Sequence, residues 1–153
     1  MFKTIITRVP NKRICKIFKS NSQIDFNFFS YYEYKGLPLN KKFITDIHNG
    51  YFNWIIFTSY RSWEFLNKQI KDNGMNISKK IKIAVFGPSS ALRVIESGGR
   101  VDFMKKAKNA SEFATKLVQL LDRSIKIAYP ASLDADRYVE EVFLEKNIKI
   151  IRQ

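Results

Sequence analysis

The fold is decided by residues 81–91, Ile81-Lys-Ile-Ala-Val-Phe-Gly-Pro-Ser-Ser-Ala91. The apolar run predicts a strand that ends at Gly87, because glycine tolerates the positive φ of a sharp exit. Pro88 suits the first position of a helix, and Ser89 and Ser90 suit a helix cap. The free amides and partial positive charge of such a helix start attract carboxylates and phosphates. The stretch therefore predicts a corner that binds an anion, or else an ordinary strand-to-helix turn.

Strands and helices alternate along the rest of the chain. Apolar and alternating runs predict strands at 3–7, 24–29, 52–57, 81–86, 100–104, 125–129 and 148–151. Helical spacing predicts helices between them, including 12–20, 41–50 and 60–72. A later helix, capped by Asn109 and Glu112, is expected to bury Phe113, Leu117, Leu120 and Leu121. The last helix is expected to start at Leu133 or Asp134 and to bury Tyr138, Val139, Val142 and Phe143. This order predicts the α/β class, with an open parallel sheet and helices on both faces.

Three loops follow strands of the predicted sheet and are rich in hydroxyl groups. They are Thr58-Ser59, Gly87 to Ser90, and Tyr129 to Ser132. Ligands of open parallel sheets bind at the carboxyl ends of the strands, where these loops lie. The three loops together predict an anion-binding edge, although each serine could simply cap its own helix.

The charge of the chain indicates an anionic partner. The 153 residues include 27 Lys and Arg against 14 Asp and Glu, a net charge of +13. Such a chain suits a nucleic acid or a small polyanion, or its charge reflects compositional bias alone. Lysines cluster at 79–82 and 105–108, but neither cluster has an RNA-binding signature or an interleaved aromatic platform. We therefore do not expect nucleic-acid binding.

Several classes of protein are excluded by residue counts and missing motifs. Cys15 is the one cysteine and His48 the one histidine, so no internal disulfide and no Cys/His zinc site is possible. Cys15 is expected to be packed on its helix. No dinucleotide or P-loop motif is present. Four carboxylates are expected to be solvated on an exposed helix face: Asp134, Asp136, Glu140 and Glu141. With neither a signal peptide nor a membrane span in the sequence, we expect a cytoplasmic protein.

Several short motifs, in order, resemble a known enzyme family. They are Thr7-Arg8-x-Pro10, Trp54-Ile-Ile-Phe-Thr-Ser59, Ala84-Val-Phe-Gly-Pro-Ser-Ser-Ala91, Ile95-Glu-Ser-Gly98 with Val101-Asp102-Phe103, the helix at Ala110-Ser-Glu112, and the Tyr129-Pro130 turn. Their order and spacing resemble uroporphyrinogen-III synthase over nearly the whole chain.

The resemblance implies a cofactor-free and metal-free lyase of tetrapyrrole, and thus heme, biosynthesis. Such an enzyme closes linear hydroxymethylbilane into uroporphyrinogen III and inverts the last pyrrole ring through a spiro intermediate. The family has two α/β domains with the site in the cleft between them. Its polycarboxylate substrate is held largely by backbone amides and hydroxyls, and we expect a monomer.

The resemblance also implies which residues bind substrate. Thr58 and Ser59 match the family's Thr-Ser, and Ser90 stands where the family usually has threonine. Gly87 and Ser89 belong to the same loop as Ser90, and Arg8 matches the arginine after the first strand. No residue is assigned as the catalytic acid.

The chain departs from the family in length. Family members are longer and return to complete the first domain, so we expect residues 1–33 to be part of an incomplete first domain and 34–153 to be a second α/β domain. A fragment, a short homologue and a chain completed by a partner all fit. The alternative function is a truncated, non-catalytic α/β module that binds an acidic partner through its basic surface, and a further alternative is an inactive incomplete product.

Overall fold

The computed structural model describes residues 2–6, 12–20, 24–29 and 34–153. The chain divides into two units, Met1–Leu37 and Pro38–Gln153. The first contains β1 (Phe2–Ile6), α1 (Lys12–Lys19) and β2 (Ile24–Phe28), and β1 pairs with β2 in parallel. The βαβ order predicted for this segment is present, while its assignment to an incomplete domain stays a prediction. Cys15 on α1 is half-buried, so it is less enclosed than expected.

The second unit is built on a four-stranded sheet. Its elements are α2 (Lys41–Asn49), β3 (Trp54–Phe57), α3 (Tyr60–Asp72), β4 (Lys82–Val85), α4 (Pro88–Glu96), α5 (Ala110–Val118), β5 (Lys126–Tyr129), α6 (Tyr138–Leu144) and β6 (Lys149–Arg152). The strands lie in the order β4-β3-β5-β6, and every pairing is parallel. The predicted α/β class, with a parallel sheet, is confirmed.

Helices cover both faces of this sheet. Alternate strand residues such as Ile55 and Ile83 pack with the apolar sides of α2, α3 and α4 on one face. Ile56 and Ile127 pack with α5 and α6 on the other. All four residues of β3 are buried, because this central strand is covered by helices on both faces of the sheet. The two faces are called below the α2–α4 face and the α5–α6 face.

The starts of the helices differ in how their amides are satisfied. Side chains of Asn40, Ser59 and Asn109 cap α2, α3 and α5. The cap of α4 is Gly87, with φ 83° and no side-chain hydrogen bond. The prediction that Ser89 and Ser90 cap this helix is therefore wrong, because both residues lie within its first turn.

The predicted strand at 100–104 is reduced to a single bridge between Ala84 and Phe103. The Asp102 side chain competes with the backbone for the hydrogen bonds of the ladder. The Asp102 carboxylate accepts from the Ile83 amide at 2.7 Å, while the Ile83 carbonyl accepts from the amides of both Asp102 and Phe103. The regular ladder therefore ends after one bridge.

The predicted burial on α5 and α6 is partly wrong. Helix α5 ends at Val118, so Leu120 lies in the turn after it and is 67% exposed. Helix α6 begins at Tyr138 instead of 133 or 134, and Tyr138 is 61% exposed. The carbonyls of residues 132, 133 and 135 accept hydrogen bonds from the Arg152 guanidinium, and the carbonyl of residue 132 also accepts from the Ala135 amide in a turn.

Glu140 is also placed differently from its expected solvated position. Its carboxylate pairs with Arg152 at 3.0 Å, and the two side chains are 13% and 23% exposed. The ion pair joins α6 to β6, so this carboxylate has a structural partner.

Candidate functional site

The three hydroxyl-rich loops lie on neighbouring strands. Since β4, β3 and β5 are adjacent and parallel, Gly87, Thr58 and Pro130 follow them at the same edge of the sheet. The Phe86 amide donates to the Phe57 carbonyl at 2.9 Å, which continues the pairing to this edge. It is called the carboxyl edge below.

A cavity of about 290 Å³ opens at the carboxyl edge, on the α5–α6 face. Its wall includes Thr58 and Tyr129 from the strand ends, residues 109–111 at the start of α5, and residues 135, 136, 138 and 139 around the start of α6. Hydroxyl groups, a helix N-terminus and one carboxylate, Asp136, therefore surround one space. A helix start together with neutral donors suits an anionic group of a ligand.

Tyr129 lines this cavity next to Thr58. Its side chain is 1% exposed, and its hydroxyl lies 3.4 Å from the Thr58 hydroxyl. Burial raises the pKa of the Tyr129 phenol and outweighs the opposing effects of the Thr58 hydrogen bond and the Arg152 charge, while the Glu140 carboxylate acts in the same direction as burial. The neutral phenol can donate to Thr58, which leaves the Thr58 proton available to a ligand.

The corner at Gly87 is a second group of donors on the same edge. Pro88 has no amide hydrogen, and no side chain caps the helix, so the amides of Ser89 and Ser90 are its first open donors. Helix α4 packs on the α2–α4 face through Ala91 and Val94. These amides therefore stand at the carboxyl edge but outside the cavity at Thr58.

The structure separates the residues that the sequence grouped. Of the described residues that were predicted to bind substrate, Thr58 lines the cavity, whereas Ser59, Gly87, Ser89 and Ser90 do not. Ser59 caps α3, and its hydroxyl accepts from the Ser62 amide at 3.3 Å. Gly87, Ser89 and Ser90 belong to the α4 corner described above. Arg8 lies outside the described residues.

Sequence reasoning missed other residues of the cavity wall. Asn109 was visible only as a helix cap, and Tyr129 was placed in one of the three hydroxyl-rich loops but given no role of its own. Ser111 had no signal beyond its place in the first turn of a helix. Asp136 was expected on an exposed helix face, yet it precedes α6 and lines the cavity. Their proximity comes from the packing of α5 and α6 beside β5.

A larger cavity of about 510 Å³ lies at the opposite edge of the sheet, between α3 and the end of α4. Its wall includes His48, Lys71 and Arg100, but the Arg100 guanidinium is occupied by the carbonyls of residues 78, 79 and 81. Parallel sheets bind ligands at the carboxyl ends of their strands. The smaller cavity is therefore the candidate site.

Two further types of site are absent from the part of the chain that the structure describes. Within those residues, no cluster of His, Cys, Asp and Glu could hold a metal ion. Among the same residues, no helix has the length and apolar character that a membrane span requires.

Tyr129→Phe is expected to change how stability depends on pH. Because the folded pKa is raised above the ordinary value of 10.0, the wild type should lose stability as the pH rises above about 10. At about pH 8 the wild type should be more stable than the variant by about 1 kcal/mol, the contribution of one hydrogen bond. The difference in stability should be smaller at about pH 11. There the unfolded wild type releases the Tyr129 proton more readily than the folded protein does, whereas the phenylalanine of the variant has no ionisable group. Urea unfolding of both proteins at the two pH values measures it, and an unchanged difference would contradict the expectation.

Comparisons with known proteins agree on one family. The family model described as uroporphyrinogen-III synthase HemD matches residues 37–152. Comparison with curated protein sequences gives no significant match. Two structures of uroporphyrinogen III synthase from the extremely thermophilic bacterium Thermus thermophilus are similar in fold. The mutant form has a TM-score of 0.71 at 12% identity and the wild type 0.59 at 13%.

The structural matches cover nearly all of this chain but only part of each synthase chain. The matches cover 100% and 99% of this chain, but 61% and 60% of the synthase chains. This chain therefore spans about three fifths of the length of those enzymes. Neither the family model nor the structures favour the non-catalytic module considered as the alternative.

Proposed function

Because this chain belongs to the uroporphyrinogen-III synthase family, we propose that it acts in the closure of hydroxymethylbilane to uroporphyrinogen III, with inversion of the last pyrrole ring. The substrate is a polycarboxylate, and the net charge of +13 attracts it. The proposal includes a cytoplasmic location, a monomeric protein, and a division between residues 1–33 and 34–153. No cofactor or metal is needed for the steps described below.

The observation that supports this function best is the set of neutral donors at the carboxyl edge. The Thr58 hydroxyl, backed by the neutral Tyr129 phenol, lines a cavity whose wall also includes the start of α5. The uncapped amides of Ser89 and Ser90 stand on the same edge. Amides and hydroxyls donate hydrogen bonds to carboxylates without forming an ion pair, so they can orient the acidic side chains of a substrate.

The chemistry asks the protein chiefly for orientation. Hydroxymethylbilane loses its terminal hydroxyl, with a proton, as water, which leaves an electrophilic methylene carbon. A carbon of the last pyrrole ring then bonds to this methylene carbon and a proton is lost, so the product depends on which ring carbon forms the bond. A site that holds the acidic groups of the substrate in one geometry selects that carbon. Orientation alone can lower the activation barrier by several kcal/mol. A neutral donor such as Thr58 can also hydrogen-bond to the departing hydroxyl as negative charge develops on it. Arg8 is proposed to neutralise substrate charge.

The test is incubation of the protein with freshly generated hydroxymethylbilane, followed by separation of uroporphyrinogen isomers III and I. The expected result is isomer III in excess over the spontaneous isomer I. Formation of isomer I alone, at the spontaneous rate, would exclude this activity for the chain.

Thr58→Val is expected to lower the rate of isomer III formation by about tenfold, because one donor of about 1.4 kcal/mol is lost at the site. Thr58→Ser keeps the hydroxyl and should retain most activity. Thr115→Val removes a hydroxyl from an exposed position of α5 and serves as the matched control. Equal rates for Thr58→Val and Thr115→Val would show that the Thr58 hydroxyl has no role in the reaction.

A further inference from the structure

Arg93 on α4 carries a guanidinium group that is held in place but keeps open hydrogen-bond donors. Its central carbon lies 3.8 Å from the centre of the Tyr60 ring, so the cation stacks on the aromatic face. The residue is exposed, and within residues 34–153 and the other described segments no carboxylate lies within ion-pair distance of it. A stacked arginine keeps its N–H groups at the rim of the guanidinium plane, where they can bind a carboxylate through two parallel hydrogen bonds.

This guanidinium belongs to the carboxyl edge of the sheet. Tyr60 is the first residue of α3, just after the end of β3, so the cation stacked on its ring is held near that edge. Arg93 also lies four residues after Ser89, and helical side chains lean toward the turn that precedes them. The guanidinium therefore stands beside the turn in which the amides of Ser89 and Ser90 have no side-chain cap.

The placement of the Arg93 charge differs from that of an ordinary helix cation. A cation in the last turn of a helix usually complements the partial negative charge at the helix end. Arg93 is in the last turn of α4, yet its contact with Tyr60 holds the guanidinium toward the carboxyl edge, where α4 begins. The same contact restricts the arginine side chain in advance, so less entropy is lost when it binds an anion.

We propose, on the basis of the function proposed above, that Arg93 binds a carboxylate of the substrate together with the amides of Ser89 and Ser90. Thr58 and Tyr60 are two residues apart, so their Cα atoms are separated by no more than about 7.6 Å. A linear tetrapyrrole has carboxylates on several rings, so one of them can lie at Arg93 while another occupies the cavity at Thr58. Contacts on both sides of the end of β3 fix the direction of the substrate as well as its position, which ring closure in one orientation requires.

The first test compares the kinetics of isomer III formation in the wild type and in Arg93→Met, which keeps an apolar stem but removes the charge. KM for hydroxymethylbilane should rise about tenfold, because a charge-assisted pair of hydrogen bonds to the substrate is lost. The value of kcat should fall by less than about threefold, since Arg93 does not contact the reacting carbon atoms. Arg93→Lys keeps the charge but not the planar fork, so its KM should lie between those of the wild type and Arg93→Met.

The matched control is Arg123→Met. Arg123 is also exposed, but it precedes β5 at the opposite edge of the sheet. Its loss should change KM by less than about twofold, because distant surface charges are screened at physiological salt. Isomer III from the wild type with equal KM values in Arg93→Met and Arg123→Met would leave the proposed function standing and overturn the role of Arg93. Isomer I alone from the wild type would contradict the proposed function, and with it the substrate assigned to Arg93.

A binding measurement requires no turnover. Uroporphyrin III, the oxidised form of the product, is a stable and fluorescent polycarboxylate, so its fluorescence anisotropy reports binding. Its Kd should rise about tenfold in Arg93→Met and about threefold in Tyr60→Leu, which removes the ring that orders the guanidinium. Arg93→Met should unfold at the same urea concentration as the wild type, because Arg93 is exposed. A Kd that is unchanged in Arg93→Met would contradict the proposal.

Discussion

Phe113→Ala is expected to destabilise the second unit by about 3–5 kcal/mol, which is a large part of the stability of a small domain. Phe113 is fully buried on the α5–α6 face, and its ring lies 5.4 Å from the ring of Phe103 and 5.7 Å from that of Phe86. Alanine would leave a cavity among rings that come from three separate segments, so neighbouring side chains could fill it only in part. Urea unfolding followed by tryptophan fluorescence measures the loss.

Leu120→Ala is the matched control for this substitution. Sequence periodicity placed Leu120 and Phe113 on the same buried side of one helix, whereas the structure leaves Leu120 67% exposed. The control should therefore change stability by no more than about 0.5 kcal/mol. A loss comparable with that of Phe113→Ala would mean that α5 continues beyond Val118 and buries Leu120.

Arg152→Met is expected to destabilise the unit by about 3 kcal/mol, because it leaves polar groups without their partner. The Arg152 guanidinium pairs with Glu140 at 3.0 Å and donates to the carbonyls of residues 132, 133 and 135. The second oxygen of Glu140 is buried without a hydrogen-bond partner in the described structure. Removal of the guanidinium would leave a largely buried carboxylate unpaired. Urea unfolding gives the size of the effect.

The effect of Arg152 should extend to the candidate site. Residues 132–135 lead into the segment that lines the cavity at Ala135 and Asp136. Hydrogen exchange of these amides should become faster in Arg152→Met, while the amides of α3 should not change. The double variant Arg152→Met/Glu140→Met should be more stable than Arg152→Met alone, since it removes the unpaired charge as well. A double variant that is less stable would indicate that the loss comes from packing.

Helix α3 illustrates what local sequence is sufficient to predict. Its observed range, Tyr60–Asp72, equals the predicted one, since Ser59 caps its start, Trp63, Leu66 and Ile70 repeat at helical spacing, and Gly74 follows its end. Segments whose backbone is captured by a distant side chain were predicted poorly. The Asp102 carboxylate takes the Ile83 amide in the segment predicted as a strand at 100–104, and the Arg152 guanidinium bonds to carbonyls of the segment before α6 that was predicted to be helical. Such hydrogen bonds join residues that are far apart in sequence, so no local sequence pattern predicts them.

The sequence by itself determined the α/β class and the position of the hydroxyl-rich loops at the carboxyl edge. Both follow from the periodicity of apolar residues and from the shared direction of parallel strands, which are local properties. Only the tertiary structure decided which loop residues share a space. It placed Thr58 beside Tyr129 and the starts of α5 and α6, and it left Gly87 and Ser90 outside that cavity. Strand order and register depend on how the helices pack across the sheet, so they cannot be read from any one segment.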